Sequence, residues 1–193
     1  LSTPREWLSS SCIDGCSMLL QHLFPIPAQS VAIFSTFLPS LAFCPGANDD
    51  ALWRLVQNSR YWEKTIWLFP IHHNNHWLLG IVRIPARVIS VFDSFGGTSY
   101  CELWAKLHTL VVKLGKLARA NNQNAPIADT GWEGYPATLS KLQTNSYDCG
   151  VWVVGCIVAV LDGHTTLYGE ESQIAGFRYW LFLQASTLPT SRA

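Results

Sequence analysis

The stretch Gln143–Asp162, QTNSYDCGVWVVGCIVAVLD, decides how this chain is read. A polar loop runs into an apolar segment, and Cys149 stands at the junction. Ser146 and Asp148 are candidate N-caps, and Gly163 is a candidate stop. From Cys149 to Leu161 almost every side chain is apolar, so a helix here has no polar face and must be buried. At roughly 1.5 Å per residue it is about 20 Å long, enough to cross a small domain. A thiol in its first turn lies at the positive end of the helix dipole, which favours thiolate. Gly150 follows, and its missing side chain is expected to leave room beside the sulfur. A free cysteine is more often a small buried hydrophobe, the reading that suits Cys156. Cys149 therefore becomes a nucleophile only if a base is found elsewhere.

The composition sets wide bounds. The chain has 193 residues, is 49% hydrophobic, and balances 13 Lys and Arg against 13 Asp and Glu. One core is expected, as a single domain over 1–193 with its body in 5–183. No basic run points to nucleic acid, and no apolar stretch reaches the roughly 18 residues of a membrane span. The chain begins at Leu1 with no signal-peptide layout and no initiator Met, as expected of a domain excised from a longer protein. The six cysteines are too sparse for a disulfide framework, so reduced thiols in an intracellular compartment, nucleus or cytoplasm, are expected.

A base can be placed through a hairpin. His76–Ile84 and Val88–Asp93 read as strands flanking Pro85-Ala86. If those two residues form the turn, Ile84 pairs with Arg87 and Leu78 with Asp93. His76 then shares a face with Asp93, one diagonal step away. A three-residue loop would put them on opposite faces. Elsewhere, Arg5–Phe24 reads as a helix capped by Ser9, Ser10 or Ser11, with Trp7 as a hydrophobic staple. Residues 25–48, with four prolines, read as connecting structure in which Phe34 and Phe37 pack. Asp49 or Asp50 starts a short helix through Asn58. Lys64–Ile71 reads as a strand and Ser94–Gly97 as a turn. Tyr100–Ala120 is an amphipathic helix, Trp132–Leu139 an edge strand, Glu171–Leu183 a last helix, and 187–193 a frayed end.

A cysteine nucleophile needs a base, a group to orient that base, and donors for the oxyanion. His76, Asp93 and Gln143 can fill those roles, with the Cys149 backbone N–H, an orphan donor at the helix start, as a second oxyanion donor. His72, His73 and His76 also cluster, and His72 with His76 has the i, i+4 spacing of a helical metal site. Asn74-Asn75 beside an apolar strand reads as a turn instead.

His76-Trp77, Asp93-Ser94, Gln143 and Asp148-Cys149-Gly150, with Trp7-Leu8 near the start, resemble the motifs of the Ulp1/SENP-type cysteine proteases of SUMO and related modifiers. The resemblance runs from residue 5 to about 183. It implies an α+β, papain-like fold of the Ulp1 type: a central antiparallel or mixed sheet, flanking helices, and a buried helix starting at the nucleophile. It implies Cys149 as nucleophile, His76 as base, Asp93 as its orienter and Gln143 as oxyanion donor. Trp77 and Trp7 would roof a narrow tunnel for a Gly-Gly tail, which only a chain without side chains can thread. It implies a monomeric thiol peptidase that needs no metal or cofactor. Its partner would be SUMO, another ubiquitin-like modifier or ubiquitin, and neither nucleic acid nor membrane. Trp-Leu-Ser-Ser departs from the family's Trp-Leu-Asn-Asp. A catalytically inactive modifier-binding module and an acyl transferase are the alternatives.

Overall fold

The computed structural model describes residues 1–96, 100–165, 167 and 169–187, leaving aside the side chains of residues 100 and 101. Gly97, the Cys101 side chain and residues 188–193 of the expected frayed end lie outside what is described.

Five strands form one mixed sheet in sequence order: β1 (Val31–Ile33), β2 (Ile66–His73), β3 (His76–Arg83), β4 (Val88–Phe92) and β5 (Glu133–Pro136). The outer pairs are parallel and the three central strands antiparallel. The β3–β4 register runs from Arg83 opposite Val88 to Leu79 opposite Phe92. Continued outward, it puts Leu78 level with Asp93, the register expected from a two-residue Pro85-Ala86 turn. The β2–β3 turn is Asn74-Asn75, both at positive φ, which asparagine tolerates well. His73 faces His76 and His72 faces Trp77 across that hairpin, so the helical i, i+4 spacing of His72 and His76 is not realised. Among the described residues no group of three metal-ligating side chains is present.

Strand alternation divides the core in two. Trp67, Phe69, Leu78, Val82, Ile89 and Val91 face α4 (Tyr100–Ala120), whose Leu103, Leu107, Leu110, Val111 and Leu114 fill that side. Leu68, Leu79, Ile81 and Phe92 face α5 (Cys149–Leu161). All residues of α5 but Val158 are buried, as its wholly apolar sequence requires. Gly163, at φ +88, ends it: its N–H reaches Val160 O, and the His164 N–H reaches Ala159 O. Those two bonds make a Schellman motif, and the left-handed residue it needs is a glycine. The helices α1 (Ser10–Leu23) and α6 (Glu171–Ser186) pack outside α5. No described helix is long and apolar enough to cross a membrane.

Residues 25–48 carry more structure than four prolines suggest. β1 has only three residues and exists through parallel pairing with β2. α2 (Phe37–Ala42) tolerates Pro39 in its first turn, where the missing N–H costs nothing. Phe34 stacks on Phe69 with centroids 4.5 Å apart, but Phe37 is exposed at the start of α2. α3 (Asp49–Val56) has Asn48 as its cap, and Asp49 and Asp50 lie in its first turn. The cap of α1 is Ser9, which accepts from the Cys12 N–H. The staple position falls to Leu8, which shares a core with Ile13, while Trp7 points outward and is 50% exposed.

Candidate active site

Three remote segments meet at the N-terminus of α5. Cys149 is its first residue, His76 opens β3, and Asp93 follows β4. His76 Nε2 donates to Asp93 Oδ1 at 2.8 Å. The two side chains are only 16% and 20% exposed. Asp93 Oδ1 also accepts from the Phe95 N–H at 2.8 Å, which fixes the carboxylate's orientation. The Phe95 ring stacks on the imidazole, centroids 4.6 Å apart. With Nε2 committed to Asp93, Nδ1 is the nitrogen left for sulfur. It is buried and makes no hydrogen bond of good geometry, but the imidazole and thiol are close enough to shift each other's protonation.

Those shifts favour an ion pair. Burial alone disfavours the imidazolium, but Asp93 and Cys149 outweigh it and raise the His76 pKa to about 9. Burial likewise opposes the Cys149 thiolate. His76 and the backbone N–H groups of Trp77 and Gly150 win, and the thiol pKa falls below its ordinary value. Asp93 is held below its ordinary range against its own burial by His76 and the Phe95 N–H. Cys16 and Cys156 go the other way: burial pushes their thiols up to about 11 and about 12. The described cysteines 12, 16, 44, 149 and 156 are all free.

Gln143 is fully buried and joins the end of β4, just past Asp93, to the nucleophile's loop. Its Oε1 accepts from Ser94 Oγ at 2.7 Å, and its backbone N–H reaches Ser94 O at 2.9 Å. Its Nε2 donates to Asn145 O at 2.6 Å and, more weakly, to Asn145 Oδ1 at 3.3 Å. Two expectations about this loop need correction. Asp148 occupies the N-cap position of α5 but its side chain caps nothing, and Ser146 is exposed. The Asp148 carboxylate instead binds Arg178 Nη2 at 2.8 Å and Asn145 Nδ2 at 2.9 Å, because a buried guanidinium is a stronger partner than a neutral backbone N–H. Nor does Gly150 leave room beside the sulfur: a Cβ there would lie 3.0 Å from Leu8 Cβ and 3.2 Å from Ile13 Cδ1. The glycine lets the N-terminal segment close over the helix.

The two tryptophans differ. Trp77 is 3% exposed, with its indole N–H on Leu8 O at 2.9 Å, while Trp7 stands half-exposed one residue before Leu8. Sequence reasoning missed Asn145, Glu171 and Arg178. Asn145 Oδ1 accepts from the Tyr147 and Asp148 N–H groups, an Asx turn legible from Asn three residues before Asp. Glu171 holds Thr144 Oγ1 and the Thr144 and Asn145 N–H groups. Nothing near the motif signals Glu171 or Arg178, which come from α6.

The profile of the Ulp1 protease family, C-terminal catalytic domain, matches residues 6–169. Mouse sentrin-specific protease 5 is 27% identical over 150 residues, covering 78% of this chain and 19% of that protein. Ubiquitin-like-specific protease 1D of Arabidopsis thaliana is 25% identical over 178 residues, 78% of this chain and 30% of that protein. The chain thus spans under a third of the length of these relatives. Among solved structures, the C-terminal Ulp1 protease domain in complex with SMT3, the yeast ortholog of SUMO, superposes with a TM-score of 0.72 at 18% identity, over 95% of this chain and 79% of that one. The effector protein XopD of Xanthomonas campestris bound to ubiquitin gives 0.59 at 14% identity, over 95% and 91%. These likenesses share the α+β fold. With a sequence match over most of its length, and a cysteine, a histidine and an aspartate converging at one helix end, the chain belongs to the Ulp1 protease family.

Proposed function

We propose that this chain is a cysteine peptidase domain that hydrolyses the bond after the C-terminal Gly-Gly of a SUMO-like or other ubiquitin-like modifier. The carrying observation is the run Asp93–His76–Cys149, with the thiol pKa lowered and the imidazole pKa raised. A module that only holds a modifier has no use for a thiolate, so the inactive alternative is not favoured. The modifier class is suggested by the relatives: the Ulp1 domain was solved with SMT3, and XopD with ubiquitin. On this reading the chain works as one monomeric domain on conjugates in the nucleus or cytoplasm, without a nucleic-acid partner.

The steps follow from the groups present. The Cys149 thiolate attacks the terminal glycine carbonyl carbon, a C–S bond forms, and the carbonyl π pair moves to oxygen. The oxyanion is held by the Cys149 N–H, an orphan donor of the helix start, and by the Gln143 hydrogen now in its weaker contact with Asn145 Oδ1. On collapse the C–N bond breaks, and His76 gives its proton to the departing amine. Water then attacks the thioester carbonyl while His76 takes its proton; the C–S bond breaks, the sulfur leaves as thiolate beside the imidazolium, and the modifier's new carboxyl releases its proton to solvent. Asp93 keeps the ring in the tautomer and orientation that both steps need. Trp7 and Trp77 flank the path of the tail. The test is a panel of ubiquitin-like modifiers carrying a C-terminal electrophile. Wild type should form a covalent adduct with at least one of them, and Cys149→Ala with none. Labelling that survives in Cys149→Ala removes the assignment.

A further inference from the structure

One side chain touches both the segment that carries Trp7 and the residue before the nucleophile. Arg178, on α6, donates from Nη2 to Glu6 O at 2.9 Å and to Asp148 Oδ1 at 2.8 Å. The ion pair is buried, with side chains 6% and 12% exposed. Two residues beyond Glu6, Leu8 O accepts the Trp77 indole N–H at 2.9 Å. The carbonyls on either side of Trp7 are therefore pinned separately. One is tied to Arg178 and Asp148, next to Cys149. The other is tied to Trp77, next to His76. Leu8 itself is 3% exposed and lies where a Gly150 Cβ would be. Trp7 is left half-exposed on a backbone whose position is defined from both halves of the site.

We infer that Arg178 is a positioning residue that registers the Trp7 segment against Cys149, and so sets how a glycine-ended tail is held without taking part in the chemistry. This rests on the function proposed above. Stability alone does not call for such a group. A buried ion pair often gains nothing over apolar packing, and here Arg178 Nη1 is buried with no partner. What the guanidinium supplies is two charge-assisted bonds from one nitrogen to two remote segments. The clamp reaches further through Asp148 Oδ2, which holds Asn145, whose carbonyl holds Gln143.

The experiment uses a ubiquitin-like modifier with a C-terminal coumarin amide as substrate, and iodoacetamide as a small probe of the thiol. In Arg178→Met, KM should rise about tenfold or more while kcat stays within about threefold. Iodoacetamide should still alkylate Cys149 at close to the wild-type rate, because a small electrophile does not use the Trp7 segment. Arg178→Lys should bring KM much of the way back to the wild-type value. Asp148→Asn keeps an oxygen toward Arg178 but not its charge, and should raise KM less. It also serves as the second variant if Arg178→Met melts before assay. A wild-type KM in Arg178→Met or, should that variant not fold, in Asp148→Asn overturns the role. So does a parallel loss of kcat and alkylation, which would put Arg178 on the thiol–imidazole pair itself. Wild-type protein that alkylates but cleaves no modifier substrate overturns the proposed function, and the role of Arg178 with it.

Discussion

The His76 imidazole lies against the Phe95 ring with planes only 22° apart and centroids 4.6 Å apart. Phe95 comes directly after the Asp93-Ser94 that orients His76, and its backbone N–H binds the same carboxylate. One residue therefore touches both the base and the group that orients it. An aromatic face stabilises the charged ring by roughly 0.5–1 kcal/mol. Phe95→Ala keeps the backbone bond and removes the ring. It should lower the His76 pKa by roughly half a unit, seen by NMR titration of the histidine. An unmoved titration would mean that the stack is packing alone.

The pH profile follows from the same pair. The folded pKa of His76 lies above its ordinary 6.5, so its contribution to stability is complete below that value and is lost as pH climbs through about 9. Cys149 runs opposite: its pKa is lowered from 9.0, so its contribution is present above 9.0 and is lost as pH falls through the lowered value. Cleavage needs thiolate and imidazolium together. It should decline on the alkaline side around pH 9, where His76 has no proton for the leaving amine. Asp93→Asn should move that limb toward 6.5 and slow cleavage by about 100-fold or more. Stopped assays across pH 5–10 (roughly the window of the two groups) read both effects.

Thiol reactivity should separate the cysteines. At neutral pH iodoacetamide should modify Cys149 well before Cys16 or Cys156: all three are buried, but only the Cys149 pKa is lowered, while the other two thiols are held protonated. Peptide mapping by mass spectrometry after brief labelling identifies the site. His76→Ala should slow labelling of Cys149, since the thiolate loses its counter-charge.

Gly150→Ala tests the closure over the helix. The new Cβ would meet Leu8 Cβ at 3.0 Å; the Gly150 backbone lies in a buried helix, and the Leu8 carbonyl is held by Trp77, so neither retreats freely. Overpacking of this kind costs about 1–3 kcal/mol. A lower melting temperature should come with greater exposure of the 6–8 segment to protease. An unchanged melt would mean that Leu8 has slack.

Much of this fold is legible in the sequence itself. The wholly apolar run from Cys149 to Leu161 could only be a buried helix, because no face of it could meet water. The 3–4 spacing of Leu103, Leu107 and Leu114 prescribed α4, and Pro85-Ala86 set the register that brings His76 toward Asp93. These are local signals, carried by period and turn chemistry over a few residues. Tertiary structure alone decided the rest. β1 exists only through pairing with β2. Phe37 faces water, Leu8 takes the staple position, and Asp148 abandons its cap for a guanidinium that lies 30 residues onward in α6. The physical reason is range. Periodicity and capping act within a turn or two of chain, whereas a buried charge takes the strongest partner that folding brings near, wherever it lies in sequence.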